Sequence, residues 1–232
     1  MTTIGTPSGT RRRPSVVHML NIVIFGAGGQ AGTAAAAEAS ARGHQVTALG
    51  RADADITNPQ AVARAAMGCD VAVVAVAPSD GDPVEFYRAA ANSIAVGLLQ
   101  ARVHRLVWVS IASLLPDASG VAPVDAEDFP PTFRPFSLGH RAALERLTRS
   151  DLTWTAVSPA GDFDRTDAPS TGYSLTHVGD LGAQITYADH ARALIDLAEL
   201  PDEHLGEHLG VMRPPSDTAV PADVRAVDGE HQ

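Results

Sequence analysis

A strand, a glycine-rich turn and a helix follow one another within residues 21–41, and this order constrains the fold more than any other feature. Residues 21–25 read Asn-Ile-Val-Ile-Phe, a short apolar run rich in β-branched side chains that is typical of a buried parallel strand. Residues 26–32 contain four glycines, and the alanine-rich residues 33–41 favour a helix. The segment therefore predicts the first strand, turn and helix of an α/β domain.

The glycines of this turn have the spacing of a diphosphate-binding loop. Gly26 would let the chain reverse after the strand, Gly29 would leave room for the diphosphate, and Gly32 would let the helix pack closely on the strand. The first N–H groups of the helix would then face the phosphates. Two registers fit, Gly26-Gly29-Gly32 and Gly26-Gly28-Ala31, and both predict the same ligand. The alternative is a flexible turn without a ligand.

Further strands and helices alternate along the chain. The predicted strands after the first are residues 45–49, 71–76, 105–110 and 152–157. The predicted helices after the first are residues 59–67, 83–101, 136–149 and 191–200. We expect Thr57 or Asn58 to cap the first of these and Asp189 to cap the last. This alternation predicts a Rossmann-like doubly wound parallel sheet in three layers. Residues 173–185 predict a small irregular β segment on the substrate side.

Domain limits follow from the same pattern. We expect one nucleotide-binding domain over residues 19–213, since 232 residues suit a single core. Residues 1–18 predict a disordered N-terminal extension, and residues 214–232 predict a disordered polar tail.

Composition narrows the classes of partner. The formal net charge of −10 argues against a nucleic-acid-binding surface. No apolar run approaches the ~20 residues that a membrane span needs. The lone cysteine, Cys69, suits a reducing cytosol. We expect a cytoplasmic protein, monomeric or homodimeric, that acts on a small molecule.

One motif has the spacing of a zinc-binding helix. Residues 204–208 read His-Leu-Gly-Glu-His, which matches H-x-x-E-H. Pro201 and Gly206 disfavour a helix there, and no third ligand follows. We therefore predict exposed histidines and no metal site.

Arg51, two residues after the second predicted strand, is informative about the choice of cofactor. A carboxylate at this point would bind the ribose 2′-hydroxyl of NAD, but the chain has Arg51. A guanidinium pairs well with phosphate, so NADP (NADPH) is favoured and NAD is less expected. The alternative is a solvated arginine, because Asp53 and Asp55 weaken the local positive field. Asp55 could also hydrogen-bond the adenine edge.

Two features that come after the later strands suggest where the substrate binds. Ser110 lies at the carboxyl end of the fourth predicted strand and would face a nicotinamide at this edge of the sheet. Residues 115–135 contain five prolines and predict a long surface loop. This loop is either part of a substrate lid or a variable insertion.

The order of these segments resembles the atypical short-chain dehydrogenase/reductases, in particular the NmrA-like and biliverdin-reductase-B-like NAD(P)H-binding proteins. The resemblance covers residues 20–212. It rests on the stretches Ile-Phe-Gly-Ala-Gly-Gly-Gln-Ala-Gly at 24–32, Leu-Gly-Arg at 49–51, Asp-Ile-Thr at 55–57, Arg-Leu-Val-Trp-Val-Ser at 105–110, Asp-Leu-Thr-Trp-Thr-Ala-Val-Ser-Pro at 151–159 and Ile-Thr-Tyr-Ala-Asp-His-Ala at 185–191. Between Arg51 and Asp55 this chain has three residues where family members have another short helix and strand.

The resemblance implies roles for individual residues. Cofactor binding is implied for residues along the carboxyl edge of the sheet: Gly26, Gly29, Gln30 and Ala31 at the diphosphate, Arg51 at the 2′-phosphate, Asp55 and Ile56 at the adenine, Ala77 and Pro78 at the ribose, and Ser110 and Pro159 at the nicotinamide.

The chain departs from the family at the proton donor. Where a dehydrogenase of this superfamily has a tyrosine and a lysine, this chain has Phe136 and His140. Hydride chemistry belongs to the cofactor, so reduction does not require the tyrosine. The proton would come from His140, Ser110, Ser113 or solvent, and imidazole suits this task best near neutral pH. His140 could instead hydrogen-bond the ribose hydroxyls.

Three functions fit these observations. The first is an NADPH-dependent reductase of a small carbonyl, quinone, flavin or conjugated compound, with catalytic His140 and Ser110. The second is an NmrA-like redox sensor that binds NADP without turnover. The third is a non-redox isomerase or cyclase on the same fold.

Overall fold

Nine strands and five α-helices make up the described part of this computed structural model, residues 18–166 and 168–214. The strands are β1 (Asn21–Phe25), β2 (Gln45–Leu49), β3 (Val71–Val74), β4 (Arg105–Val109), β5 (Thr153–Pro159), β6 (Asp162–Asp164), β7 (Ser174–Thr176), β8 (Gln184–Thr186) and β9 (Glu207–Met212). The helices are α1 (Gln30–Ala41), α2 (Pro59–Ala65), α3 (Pro83–Gln100), α4 (Arg134–Thr148) and α5 (Tyr187–Glu199). The predicted disordered segments, residues 1–18 and 214–232, lie outside the described residues except for their inner ends.

The main sheet has seven strands in the order β2-β1-β3-β4-β5-β9-β7. Its strands pair in parallel except β7, which runs antiparallel to β9. Strands β6 and β8 form a separate parallel pair. The strand order reverses at β1, which lies between β2 and β3. In open α/β sheets, ligands bind in the crevice at such a reversal.

Helices cover both faces of the main sheet. Alternate residues of β1 point to opposite faces, because side chains in a strand have a period of two. Val23 and Phe25 pack in a core cluster with residues of α2, α3 and α4. Ile22 and Ile24 pack in a second cluster with residues of α1 and α5. The predicted three-layer, Rossmann-like doubly wound fold is therefore confirmed.

The sheet ends at β2, which is an edge strand in the described structure. Residues 51–53 form a turn where family members were expected to have another helix and strand. Asn58 is the N-cap of α2, because its Oδ1 accepts hydrogen bonds from the N–H groups of Gln60 (3.0 Å) and Ala61 (3.2 Å).

Helix α5 begins four residues before its predicted start at 191. Thr186 is its N-cap, since the Thr186 Oγ1 accepts a hydrogen bond from the Asp189 N–H at 3.0 Å. The prediction that Asp189 caps this helix is wrong. The buried Asp189 carboxylate instead accepts hydrogen bonds from the Ser170 hydroxyl (2.5 Å) and the Gly172 N–H (3.1 Å), which anchors the preceding segment.

Strand β9 was not predicted. It pairs with β5 and buries Leu209 and Val211. Its first two residues, Glu207 and His208, are polar, and Gly206 precedes them, so the apolar alternation is short. The H-x-x-E-H motif therefore lies on a turn and a strand instead of a helix.

Candidate functional site

The glycine turn between β1 and α1 has geometry that requires glycine at two positions. Gly26 has a φ of +88°, and a Cβ there would lie 2.1 Å from the Ala75 carbonyl oxygen. A Cβ on Gly32 would lie 2.2 Å from the Gly26 carbonyl oxygen. Gly28 differs, since a Cβ there would meet no atom within 4 Å. Main-chain atoms therefore leave no room for a side chain at Gly26 or Gly32, whereas Gly28 has open space beside it.

The N-terminus of α1 is available to an anion. Gly29 is the N-cap residue and has no side chain to accept from the first N–H groups, and the first turn carries no acidic residue. The first intrahelical bond runs from the Thr33 N–H to the Gly29 carbonyl at 2.8 Å. The N–H groups of Gln30, Ala31 and Gly32 precede this bond and have no intrahelical partner. Such N–H groups can bind a diphosphate.

A cavity of about 840 Å³ lies beside this turn, at the carboxyl ends of β1, β2 and β3. Its lining includes eight residues that were predicted to bind the cofactor: Gly26, Gly28, Gly29, Arg51, Asp55, Ile56, Ala77 and Pro78. The cavity thus brings together three sequence segments that follow three neighbouring strands. The glycines and the cavity fit the diphosphate and adenosine parts of a dinucleotide.

Sequence reasoning missed part of this wall. Phe25, Leu49 and Phe86 also line the cavity. Phe25 and Leu49 could have been assigned, because each directly precedes a glycine at the end of a predicted strand. Phe86 lies on α3 and has no local sequence signal, so only the packing of α3 against the sheet places it there.

The charged groups near the cavity have defined partners. The Arg51 Nη2 donates a hydrogen bond to the Ala77 carbonyl at 3.4 Å. The Asp53 Oδ2 accepts from the Gly50 N–H at 2.8 Å. The Asp55 Oδ1 accepts from the Thr57 hydroxyl (2.6 Å) and N–H (2.9 Å), and these bonds hold the pKa of Asp55 below its usual range. Both carboxylates are therefore engaged by their own turns, whereas Arg51 extends along the cavity wall.

Ser110 and Pro159 lie outside the lining of this cavity but at the same edge of the sheet. The Ser110 N–H donates to the Val157 carbonyl at 2.8 Å, which continues the pairing of β4 with β5. Pro159 ends β5. The Ser110 hydroxyl is buried and has no hydrogen-bond partner within residues 18–166 and 168–214.

His140 lies on α4 and is buried against two aromatic rings. Its ring centroid is 4.1 Å from that of Tyr87 and 4.9 Å from that of Phe136. Burial, assisted by the nearby His208, lowers the pKa of His140 to about 3. The imidazole is therefore neutral at neutral pH, so it can pass on a proton but does not start as an imidazolium acid.

The two histidines of the H-x-x-E-H motif are partly buried, and the prediction of exposed histidines is wrong. His204 lies in a turn with φ of +56° and has Nδ1 3.0 Å from the Glu207 carboxylate. His208 lies on β9 with Nε2 2.7 Å from the Ser158 hydroxyl. Within the described residues, no group of three histidine, cysteine, aspartate or glutamate side chains is arranged to hold a metal ion.

The predicted surface loop, residues 115–135, contacts the small β segment of residues 173–185. The Gly179 N–H donates to the Pro116 carbonyl at 2.8 Å, and Leu115 is buried. Arg134 donates to the carbonyls of Val124 (2.7 Å) and Ala126 (3.0 Å), which ties the loop to the start of α4. The substrate role of residues 115–135 stays a prediction.

Residues 26–201 match a family model described as NAD(P)H-binding. The chain belongs to this NAD(P)H-binding family. Membership confirms the resemblance to atypical short-chain dehydrogenase/reductases. It also supports a nicotinamide cofactor and an oxidoreductase-like role for this protein.

Three relatives resemble the chain over nearly their whole length. The uncharacterized protein YwnB of Bacillus subtilis (strain 168) is 30% identical over 212 residues, which are 83% of this chain and 98% of YwnB. A Burkholderia pseudomallei structure, assigned as an exported protein, is 30% identical with a TM-score of 0.71 and covers 84% of this chain and 100% of its own. A Streptococcus pneumoniae TIGR4 structure, assigned as an NADH-flavin reductase, is 26% identical with a TM-score of 0.73 and has the same coverage.

Cellular location stays a prediction. No helix of the described residues combines the length and apolar character that crossing a bilayer requires. The Burkholderia relative is assigned as exported, so the comparisons do not favour the cytoplasm.

Proposed function

We propose that this protein is an NADPH-dependent reductase of a small carbonyl, quinone, flavin or conjugated compound. The observation that carries the proposal is the 840 Å³ cavity that runs from the uncapped N-terminus of α1 to Arg51. A cation at the end of β2 favours the 2′-phosphate of NADPH. The NADH-flavin reductase assignment of the Streptococcus relative supports a reductase but does not favour NADPH.

In the proposed reaction, the residues at the carboxyl edge of the main sheet have separate roles. The N–H groups of Gln30 and Ala31 bind the diphosphate, and Arg51 pairs with the 2′-phosphate. The nicotinamide supplies the hydride when the cofactor is bound. Ser110 donates a hydrogen bond to the substrate oxygen and gives it a proton, with His140 as a neighbouring neutral imidazole. Residues 115–135 and the contacting β segment exclude water.

Replacement of Arg51 tests the cofactor preference. In Arg51→Ala we expect the Kd for NADPH to rise about 10- to 150-fold, since a charge-assisted phosphate contact contributes ~1.5–3 kcal/mol. The Kd for NADH should change by less than about twofold. Isothermal titration calorimetry measures both constants. Arg64→Ala, an exposed arginine on α2, is the matched control. Equal losses for both cofactors would show that Arg51 does not read the 2′-phosphate.

A redox sensor that binds NADP without turnover is the second candidate. Phe136 in place of the family's tyrosine favours it, because phenylalanine cannot donate a proton. NADPH oxidation with a panel of quinones, flavins and aldehydes separates the two functions. Tight NADPH binding with no oxidation of any panel member would favour the sensor.

A further inference from the structure

A second cavity, of about 410 Å³, lies where the small parallel pair of β6 and β8 ends. Its lining includes Arg165, which follows β6, and Tyr187 and Ala188, which follow β8. Gln30, the first residue of α1, also lines it. Because Gln30 directly follows Gly29, which lines the first cavity, both cavities adjoin the same glycine turn.

Arg165 is the charged group of this lining that a ligand can reach. The Asp164 carboxylate also lines the cavity, but it accepts hydrogen bonds from the Thr166 hydroxyl (2.6 Å) and N–H (2.9 Å) and from Arg213. The bonds from Thr166, together with Arg213, hold the pKa of Asp164 below its usual range, so this carboxylate stays ionised and paired. Arg165 lies 3.8 Å from Asp162, and both side chains are largely exposed. Such a surface pair contributes little, so Arg165 can exchange it for an anionic ligand.

The first turn of α5 adds main-chain donors at the same cavity. This helix has 13 residues, and its N-cap Thr186 accepts a hydrogen bond from the Asp189 N–H at 3.0 Å. The N–H groups of Tyr187 and Ala188 come before that bond and have no intrahelical partner. The Asp189 carboxylate lies in the same turn but is buried, and it accepts hydrogen bonds from residues 170–172. The guanidinium and the two N–H groups therefore offer an anion several donors.

Aromatic rings hold the wall of this cavity in place. The ring centroid of Tyr187 is 4.1 Å from that of Phe163, and the two planes differ by 11°. The fully buried His190 meets the same Phe163 ring edge to face, with the centroids 5.0 Å apart. Stacked and edge-to-face contacts restrict the orientation of each ring. The cavity is therefore preorganised, which lowers the entropy that a ligand would lose on binding.

We propose that the second cavity binds an anionic group, a phosphate or a carboxylate, of the molecule that the enzyme reduces. This inference rests on the proposed reductase function, since it names a class of acceptor. Arg165 pairs with the anion, and the N–H groups of Tyr187 and Ala188 donate hydrogen bonds to it. A neutral acceptor would leave these donors unused. The diphosphate of the cofactor is the other source of such an anion, because the cavity adjoins the glycine turn.

FMN and riboflavin are matched probes, because they share the flavin ring and differ by one phosphate. Quenching of flavin fluorescence in the presence of NADP measures the Kd of each. We expect FMN to bind about tenfold more tightly than riboflavin, since charge-assisted hydrogen bonds are the strong ones. Arg165→Gln should reduce this difference to about twofold or less. Arg149→Gln, at an exposed arginine after α4, is the control and should keep it. Equal Kd values for FMN and riboflavin in the wild type would overturn the inference.

Ala188 allows the charge of the cavity to be changed at a position that tolerates a larger side chain. It is exposed in the first turn of α5, where a carboxylate is favourable to the helix. Ala188→Glu should raise the Kd for FMN about fivefold, because like charges repel, and should leave the Kd for riboflavin unchanged. Ala188→Gln, with a neutral side chain of the same length, should change neither value by more than about twofold. An unchanged Kd for FMN in Ala188→Glu would contradict the proposed position of the phosphate.

The Kd for NADPH distinguishes the two sources of the anion. By calorimetry, Arg165→Gln and Ala188→Glu should each leave this Kd within about twofold of the wild type. A raised Kd for NADPH with an unchanged Kd for FMN would assign the anion to the cofactor and overturn the inference. If the wild type oxidises NADPH with no acceptor but binds FMN through Arg165, the reductase function fails and the anion site stands. NADPH oxidation with neutral acceptors, together with equal Kd values for the two flavins, removes this inference alone.

Discussion

The two ends of the carboxyl edge of this sheet are built differently. The turn region, residues 26–32, 49–57 and 75–80, surrounds a cavity with main-chain groups and apolar side chains. The polar region consists of Ser110, His140, Ser158 and His208, buried or partly buried side chains from α4, β5, β9 and the residue after β4. The turn region is made of contiguous segments, and the polar region exists only because strands pair in register. The cavity at this edge is therefore formed by contiguous segments of the chain, whereas the proposed chemistry depends on long-range contacts.

Lowering the pH should destabilise the polar region more than the turn region, and this is the largest effect that we expect. Burial lowers the pKa of His140 to about 3 and those of His190 and His208 to about 4, whereas the lining of the turn-region cavity contains no histidine. In the unfolded chain a histidine has a pKa of ~6.5. The unfolded state thus binds more protons below pH 6.5, and stability is lost as the pH falls toward the folded values. Each histidine should lower the free energy of unfolding by about 1.4 kcal/mol per pH unit.

Urea unfolding at pH 7, 6 and 5 measures this effect. For the three histidines together we expect a slope approaching about 4 kcal/mol per pH unit between pH 6 and 5. His190→Leu should reduce the slope by about a third, because it removes one titrating group. Hydrogen exchange should show β9 losing protection before β1. A slope below about 1 kcal/mol per unit would mean that the histidines keep ordinary pKa values.

Two alanine variants in the glycine turn test the turn region alone. Gly32→Ala places a Cβ 2.2 Å from the Gly26 carbonyl oxygen, so the backbone must move. We expect unfolding to become easier by about 1–3 kcal/mol and both NADPH and NADH to lose affinity. Gly28→Ala meets no atom within 4 Å and should leave the free energy of unfolding unchanged.

The outcome at Gly28 also locates the diphosphate. Loss of cofactor affinity in a normally stable Gly28→Ala would favour the Gly26-Gly28-Ala31 register. Unchanged affinity would favour the Gly26-Gly29-Gly32 register. Chemical unfolding measures the free energy of unfolding, and calorimetric titration measures the Kd for the cofactor. Equal stability of Gly32→Ala and the wild type would contradict the close packing at Gly32.

The smallest expected effect concerns His140 in the polar region. We expect His140→Gln to lower kcat about tenfold at pH 7, because in the proposed reaction this neutral imidazole assists proton transfer without supplying an imidazolium. The Kd for NADPH should not change. A rise in Kd with unchanged kcat would assign His140 to the ribose hydroxyls instead. Steady-state kinetics and calorimetry on one preparation distinguish these results.

Local signals were sufficient for the fold class and for eight residues of the cavity wall. The strands before Gly26 and Gly50 and the strand that ends at Val74 were predicted from apolar runs, and Asn58 and Pro59 gave the start of α2. The residues that follow these strands line the cavity because parallel strands end at one edge of a sheet. Phe86 could not be predicted, since its position depends on how α3 packs.

Two predictions near the C-terminus were wrong because they depend on long-range contacts. His208 was interpreted as exposed because Pro201 and Gly206 disfavour a metal-binding helix there and no third ligand follows. Pairing with β5 makes the segment a strand and places His208 against Ser158. Asp189 was interpreted as a cap, whereas it binds residues 170–172 from within α5.

The sequence by itself determined the first five strands of the doubly wound sheet, the glycine turn and the end of β2 where Arg51 lies. These features depend on residues within a few positions of one another, so local conformation and hydrophobic periodicity encode them. Only the tertiary structure decided that His208 meets Ser158 and that His140 lies buried against Tyr87 and Phe136. Strand register and helix packing join residues about 50 positions apart, and no local pattern records which of them will meet.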